Sequence, residues 1–405
     1  MLIAMDKWLA LKVGLGSAAF LAAMGGAWLL SLPPASASKA VPPIPPDEVE
    51  ATLSALKPPK RPRPLIAIIG INDATETTDY LMPTGILRRA DIADVVALAT
   101  ESGPVTLFPV LTVEPDLTVA NFDVRYPEGA DYVIVPAMSR DDDPAALQWI
   151  RSQAAKGAII IGVCAGAKVV AETGLLDGKR ATTHWYYLDE MLGNHSTIRY
   201  VPDRRLVVDD DVITTTGISA SMPMALTLIE AIAGRHKAES IAQDLGLTHW
   251  DARHDSNAFT FTRPFALTAM RNTLAFWKHE TFGMELQPGV DEVALALIAD
   301  AWSRTYRSRA VMFASTAGAR PTRNGIRIVP DEITGSWPAQ QRLPSVREPP
   351  ARALDRALRS IATRYGRRTA DFVAMQLEYP RGHRNKGATL PTGDPGIPLK
   401  HFQPS

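Results

Sequence analysis

Four apolar runs recur through the middle of the chain: Leu65–Ile69, Asp94–Ala99, Tyr132–Val135 and Ala158–Val163, with helix-like segments between them. Continuous runs, as opposed to alternating ones, predict strands buried on both faces. Pro144 to Lys156 predicts a helix with Asp143 as N-cap and Pro144 at its first position, which accounts for the acidic triplet Asp141-Asp142-Asp143 without a metal. Ser221 to Ala233 predicts a helix closing the unit before Gly234. The order of strands and helices implies an α/β fold around a largely parallel sheet, with ligands at the carboxyl ends of its strands.

The ends of the chain carry different patterns. Val13 to Leu32 is an uncharged run of 20 residues, long enough to cross a bilayer as one helix. Ala35-Ser36-Ala37 offers a signal-peptide cleavage site as the alternative, giving a secreted form, but such apolar cores usually span only about 7–15 residues. Lys7 and Lys12 on the near side against Lys39 on the far side put the bulk of the chain outside the cytoplasm. The expectation is therefore a segment 1–12, a transmembrane helix 13–32 in the lipid bilayer, and a proline-rich stalk 33–64 interrupted by a short helix around Asp47–Leu56. After the domain at 65–235 comes a mostly helical region, 236–379, in which Asp291–Arg309 is an amphipathic helix candidate. An Arg-rich segment there places Leu354, Leu358, Ile361 and Tyr365 on one face. Residues 380–405, rich in Gly, Pro and Lys, read as a disordered tail.

The chain has 405 residues, with 43 Lys+Arg against 43 Asp+Glu. This balance removes the simplest electrostatic case for a nucleic-acid partner. Cys164 is the only cysteine, so no intramolecular disulfide and no Cys-rich metal site can form. His249-Trp250-Asp251 with His254-Asp255 lacks a dependable ligand spacing, and neither a metal nor a cofactor is assigned.

The chemistry concentrates at Cys164. Gly162-Val163-Cys164-Ala165-Gly166 follows the most apolar strand and precedes the helical-looking Ala167–Glu172. A strand-to-helix turn flanked by small residues is a nucleophile elbow, here with cysteine in the nucleophile slot, and the helix dipole favours a thiolate. A buried structural cysteine is the competing reading.

The stretch Ile160–Leu192 closely resembles the core of the DJ-1/PfpI superfamily, which shares the class I glutamine amidotransferase-like fold. The resemblance implies that Cys164 of the C-A-G turn is the reactive residue and that His184, closing T-T-H, stands near it. Upstream, the loop from Gly70 to Pro83 looks like the one that carries the family's acid four residues before a proline, which implies Asp79, with Glu76 one helical turn earlier. Ile213–Gly234 looks like the closing strand and helix. With these blocks in order, the expected architecture is a flavodoxin-like three-layer sandwich with a mainly parallel sheet, plus the helical C-terminal extension. A carboxyl beside a thiol would have a raised pKa and suits proton exchange with it.

The chain departs from the family's pattern in three ways. Pro136-Ala137-Met138 replaces a glycine pair, so the oxyanion donors would be the Met138 and Ala165 backbone N–H groups. Ala165 stands where protease-like members have histidine, which argues against a peptidase. It also stands where the isonitrile hydratase branch has threonine, so only half of that signature is present. Gly174–Trp185 is similar as well to the ligand-sensing domains of AraC-type transcription regulators, but the paired helix-turn-helix units of such regulators are not evident after residue 235. The expected activity is that of a cysteine-dependent hydratase, lyase or hydrolase, using Cys164, Asp79 and His184, with Met138, Ala165 and Glu76 binding a small-molecule substrate. A non-catalytic ligand- or redox-sensing module is the alternative, and a homodimer is left open.

Overall fold

The structure, a computed structural model, describes residues 23–36, 38–344 and 348–380. Its centre is a seven-stranded sheet of β1 (Leu65–Gly70), β2 (Asp94–Ala99), β3 (Leu117–Thr118), β4 (Tyr132–Val135), β5 (Ile159–Gly162), β6 (Leu206–Asp209) and β7 (Val212–Thr215). The spatial order is β6-β7-β5-β4-β1-β2-β3, and every neighbouring pair is parallel except β6–β7. Strand β1 shows why its run is continuous. Ile66 and Ile68 enter one core, while Leu65, Ala67 and Ile69 enter the other, so both faces are apolar.

Helices α1 (Thr77–Ala90) and α4 (Ser221–Ala233) pack together on the first face, and α2 (Pro144–Ala155) and α3 (Gly166–Glu172) cover the second. This is the expected three-layer sandwich. Asp143 caps α2 as expected, its Oδ1 accepting the Ala146 N–H at 3.0 Å.

The C-terminal region adds a further layer. Its helix α5 (Glu292–Ser303) lies along α1, and α6 (Pro350–Tyr365) and α7 (Arg367–Gln376) pack beyond it. The α1–α5 approach is close, because a Cβ at Gly85 would run into the Glu292 carboxyl. The region is helix-rich but also holds a three-stranded parallel sheet, of β8 (Glu280–Glu285), β9 (Ser308–Ala314) and a short strand at Glu332–Ile333. A strand at Arg327–Val329 runs antiparallel to Thr112–Glu114, completing a small second sheet begun within the first domain.

Two expectations for the N-terminal part are corrected. Among the described residues no helix is long and apolar enough to cross a membrane, so the single-pass anchor is not supported. The described part of the apolar run forms a helix over 23–31, which ends before Pro33-Pro34. There Arg263 donates to the Leu29, Leu30 and Leu32 carbonyls, holding the helix end to the protein. Residues 13–22 lie outside the described residues. The segment 33–64 does not stand off as a stalk either. Its helix, Pro46–Ala55, matches the expected interruption. Leu56 is buried, Arg61 pairs with the buried Asp131 at 2.5 Å, and Glu48 pairs with Arg204 at 2.6 Å. Proline removes backbone donors, but it leaves the side chains around it free to pack. The expected tail from 381 onward lies outside the described residues.

Candidate functional site

Strand β5 ends at Gly162, and the chain reverses through Val163–Ala165 into α3. Cys164 sits in the left-handed region at φ 58°, a conformation that costs a β-carbon-bearing residue energy and persists only when its neighbours fix it. They do so here. The Cys164 N–H donates to Thr215 Oγ1 at 3.1 Å, and its carbonyl accepts from Thr183 Oγ1 at 3.0 Å. A Cβ on Gly166 would strike the Val135 carbonyl oxygen, so only glycine lets the elbow lie against the 135–138 segment.

Asp79 is fully buried in the first turn of α1. Its Oδ2 accepts the Ala137 N–H at 3.3 Å, while Oδ1 finds no well-formed hydrogen bond among the described residues. The Cys164 thiol lies close enough to act on this carboxyl. Burial, then the nearby Glu76, hold Asp79 well above the ordinary carboxyl range.

Glu76 is the N-cap of α1. Its Oε2 accepts from the Asp79 N–H at 2.6 Å and from Thr78 Oγ1 at 2.8 Å. Its Oε1 receives Arg304 Nη2 at 2.6 Å, and Arg304 Nε reaches both oxygens of Asp300, at 2.9 and 2.8 Å. Burial pushes Asp300 up to about 7 against the pull of Arg304. For Arg304 burial opposes the charge, but Asp300 and Glu76 outweigh it. The guanidinium belongs to the C-terminal region, just past α5, yet it lies within electrostatic range of Asp79 and Cys164.

The Cys164 thiol departs from the helix-dipole argument. Burial, then Asp79, Glu76 and Glu378, push it well above its ordinary value, against the pull of the Ala165 N–H. The seven-residue α3 cannot offset a buried, acid-lined setting.

His184 is buried beside the elbow. Its Nδ1 accepts the Tyr186 N–H at 3.2 Å, so Nε2 carries the proton and donates to the Gln376 carbonyl at 2.9 Å. Burial lowers its pKa and keeps it neutral. With both nitrogens engaged, neither is left to take the thiol proton in this arrangement. Met138 lies just past β4, facing the 74–76 segment. Glu76 N–H to Ala137 O (2.8 Å) and Ser139 N–H to Ala74 O (3.0 Å) flank it, and its own N–H has no partner among the described residues.

Sequence reasoning missed Arg304, Asp300 and Glu378. Glu378 lies just past α7. Its Oε1 accepts the Trp185 N–H at 2.6 Å, and its Oε2 accepts the Gly217 N–H at 2.8 Å. The Asp300–Arg304 pair has the i,i+4 spacing of a helix and was readable, but Glu76 is 228 residues away from Arg304. The His249–Asp255 segment is otherwise employed. Asp251 binds Arg253 at 2.7 Å and His254 stacks on Phe259 at 5.2 Å. Exposed aromatic side chains surround the Arg304 corner: Phe108, with the guanidinium 6.0 Å over its ring, and Tyr186, Tyr187 and Tyr306.

Residues 66–231 match the DJ-1/PfpI family. Over 172 residues the chain is 36% identical to an isonitrile hydratase of Pseudomonas putida, a match covering 41% of this chain and 72% of that protein. Over 112 residues it is 33% identical to the HTH-type transcriptional regulator CdhR of Pseudomonas aeruginosa, covering 28% of this chain and 33% of the regulator. Among solved structures, oxidized DJ-1 of Toxoplasma gondii aligns with a TM-score of 0.40 at 23% identity, over 46% of this chain and 100% of that one.

Proposed function

The chain belongs to the DJ-1/PfpI family, and from that premise we propose that it is a thiol enzyme of hydratase, lyase or hydrolase type acting on a small electrophilic carbon. Cys164 is the nucleophile and Asp79 its proton partner. The observation that carries this reading is the fully buried Asp79 against the Cys164 thiol, with a carboxyl oxygen that no other group satisfies. A neutral acid next to a neutral thiol avoids two buried charges at rest and can pass a proton as the sulfur attacks. The Met138 and Ala165 N–H groups would carry charge developing on a carbonyl or nitrile-like heteroatom.

For an isonitrile, chosen because a hydratase of that substrate is among the relatives, the sulfur–carbon bond forms as the thiol proton is delivered through Asp79 to the same carbon, giving a thioimidate. Water adds to that carbon, the sulfur–carbon bond breaks, and the thiol regains a proton. One water is consumed per formamide released. His184 orients the wall around Trp185 and does not relay the proton.

The test is conversion of benzyl isocyanide, an aliphatic nitrile and a simple aldehyde by the full chain, followed by mass spectrometry. Turnover of one probe that is lost in Cys164→Ser and reduced in Asp79→Asn supports the proposal. Binding without turnover, unchanged in Cys164→Ser, would instead support the sensing role that the likeness to CdhR suggests.

A further inference from the structure

Arg304 has more donors than its protein partners use. Nε is taken by Asp300 and Nη2 by Glu76, while Nη1 has no hydrogen-bond partner among the described residues. Nη1 is also not among the polar atoms sealed away without a partner, and the side chain retains 13% of its surface. Two carboxylates on two other nitrogens fix the guanidinium plane, so the free donor is held in place before any ligand arrives.

The charge of the corner is already spent. Glu76 and Asp300 both face the one guanidinium, and Glu378 adds another acid acting on Cys164. A ligand carboxylate would gain a hydrogen bond from Nη1 but would enter acid-lined surroundings. An uncharged acceptor gains the same bond without that repulsion. The rim supplies the other half of the recognition. Phe108, Tyr186, Tyr187 and Tyr306 expose aromatic surface around the same corner, and Tyr186 and Tyr187 stand edge to face at 5.2 Å. Such surfaces favour a flat apolar group.

We infer that Arg304, supplied by the C-terminal region, is a substrate-recognition residue, and that the corner it forms with the exposed aromatic side chains takes an uncharged small molecule joining a hydrogen-bond acceptor to a flat apolar group. The inference rests on reading the Cys164 site as a small-molecule site but does not need turnover, so a binding measurement separates the two. Benzamide, benzoate and acetamide are titrated calorimetrically into the full chain. Benzamide binds about tenfold more tightly than either of the others, the size expected for one favourable charge-assisted bond or one stacked ring. Arg304→Lys keeps the charge but removes Nη1, and weakens benzamide by about tenfold. Phe108→Ala, at an exposed position that leaves the core intact, weakens benzamide while sparing acetamide. Benzoate binding as tightly as benzamide, no benzamide binding, or unchanged benzamide affinity in Phe108→Ala would overturn the inference, even if Arg304→Lys failed to fold. If benzamide binds as described and none of the electrophilic probes is turned over, the recognition stands and the catalytic proposal fails.

Discussion

On one side of Cys164, residues 65–235 hold the site with main-chain geometry. The elbow is fixed by two threonine hydroxyls, by the close approach of Gly166 to Val135, and by backbone bonds between the 74–76 and 137–139 segments. On the other side, residues 236–379 bring remote charge to the acids Asp79 and Glu76 already there: Arg304 with Asp300, and Glu378 reaching back to Trp185 and Gly217. The difference separates two tasks. Main-chain geometry aims the thiol, whereas the buried charges set the electrostatic surroundings in which its proton is held.

The heaviest blow to the charged side is Arg304→Met, which leaves Glu76 and Asp300 buried without their cation. It lowers unfolding free energy by about 3–5 kcal/mol in urea titrations at neutral pH. Replacing Asp300 with Asn sharpens the same point. The Asp300 pKa is raised from 3.8 to about 7, so the folded state holds the proton longer than the unfolded one. The stability this contributes is present at low pH and is lost as pH rises through that window. The advantage of the wild type over Asp300→Asn therefore shrinks between about pH 4 and pH 7.

The seam between the two sides is probed by Gly217→Ala. A Cβ there would lie 2.6 Å from His184 Cδ2 and 3.0 Å from Glu378 Cγ, and the crowding costs about 1–3 kcal/mol in thermal or urea melts. On the main-chain side, Thr215→Val strands the buried Cys164 N–H and costs about 1–2 kcal/mol. The smallest effect on stability, and the most informative on chemistry, is Asp79→Asn. In the wild type the alkylation of Cys164 has its midpoint above that of an ordinary cysteine. Asp79→Asn lowers it, and Glu76→Gln lowers it less, following the order of their influence on the thiol. Equal shifts from both would assign the proton partner wrongly.

The elbow was legible because strand, small-residue turn and helix are local features, and the four apolar runs proved to be strands of the central sheet. Asp79 was legible only through resemblance, since an acid before a proline reads as a cap from spacing alone. Glu76 is in fact such a cap. Arg304 was hidden because its meaning lies in a carboxylate far away in sequence, and no local pattern marks a long-range pair. The anchor expectation failed for a related reason. Apolar character alone does not separate a span from a helix tied down by its final carbonyls, and the partner of those carbonyls, Arg263, is remote. The thiol was misjudged because the helix dipole is a local term, whereas its burial and the acids around it, Asp79, Glu76 and Glu378, are brought together only by the fold.

The strand at Arg327–Val329 has a consequence for biosynthesis. Its partner Thr112–Glu114 lies some 213 residues earlier, the separation of the Arg327–Glu114 ion pair that accompanies the ladder. At ribosomal rates of about 5–20 residues per second, that stretch takes roughly 10–40 s to emerge. Throughout that interval the nascent small sheet presents an open edge, a template for pairing with another chain. A chaperone able to shield that edge for tens of seconds would raise the yield of correctly folded protein, and synonymous codons that slow translation between residues 115 and 326 would lower it.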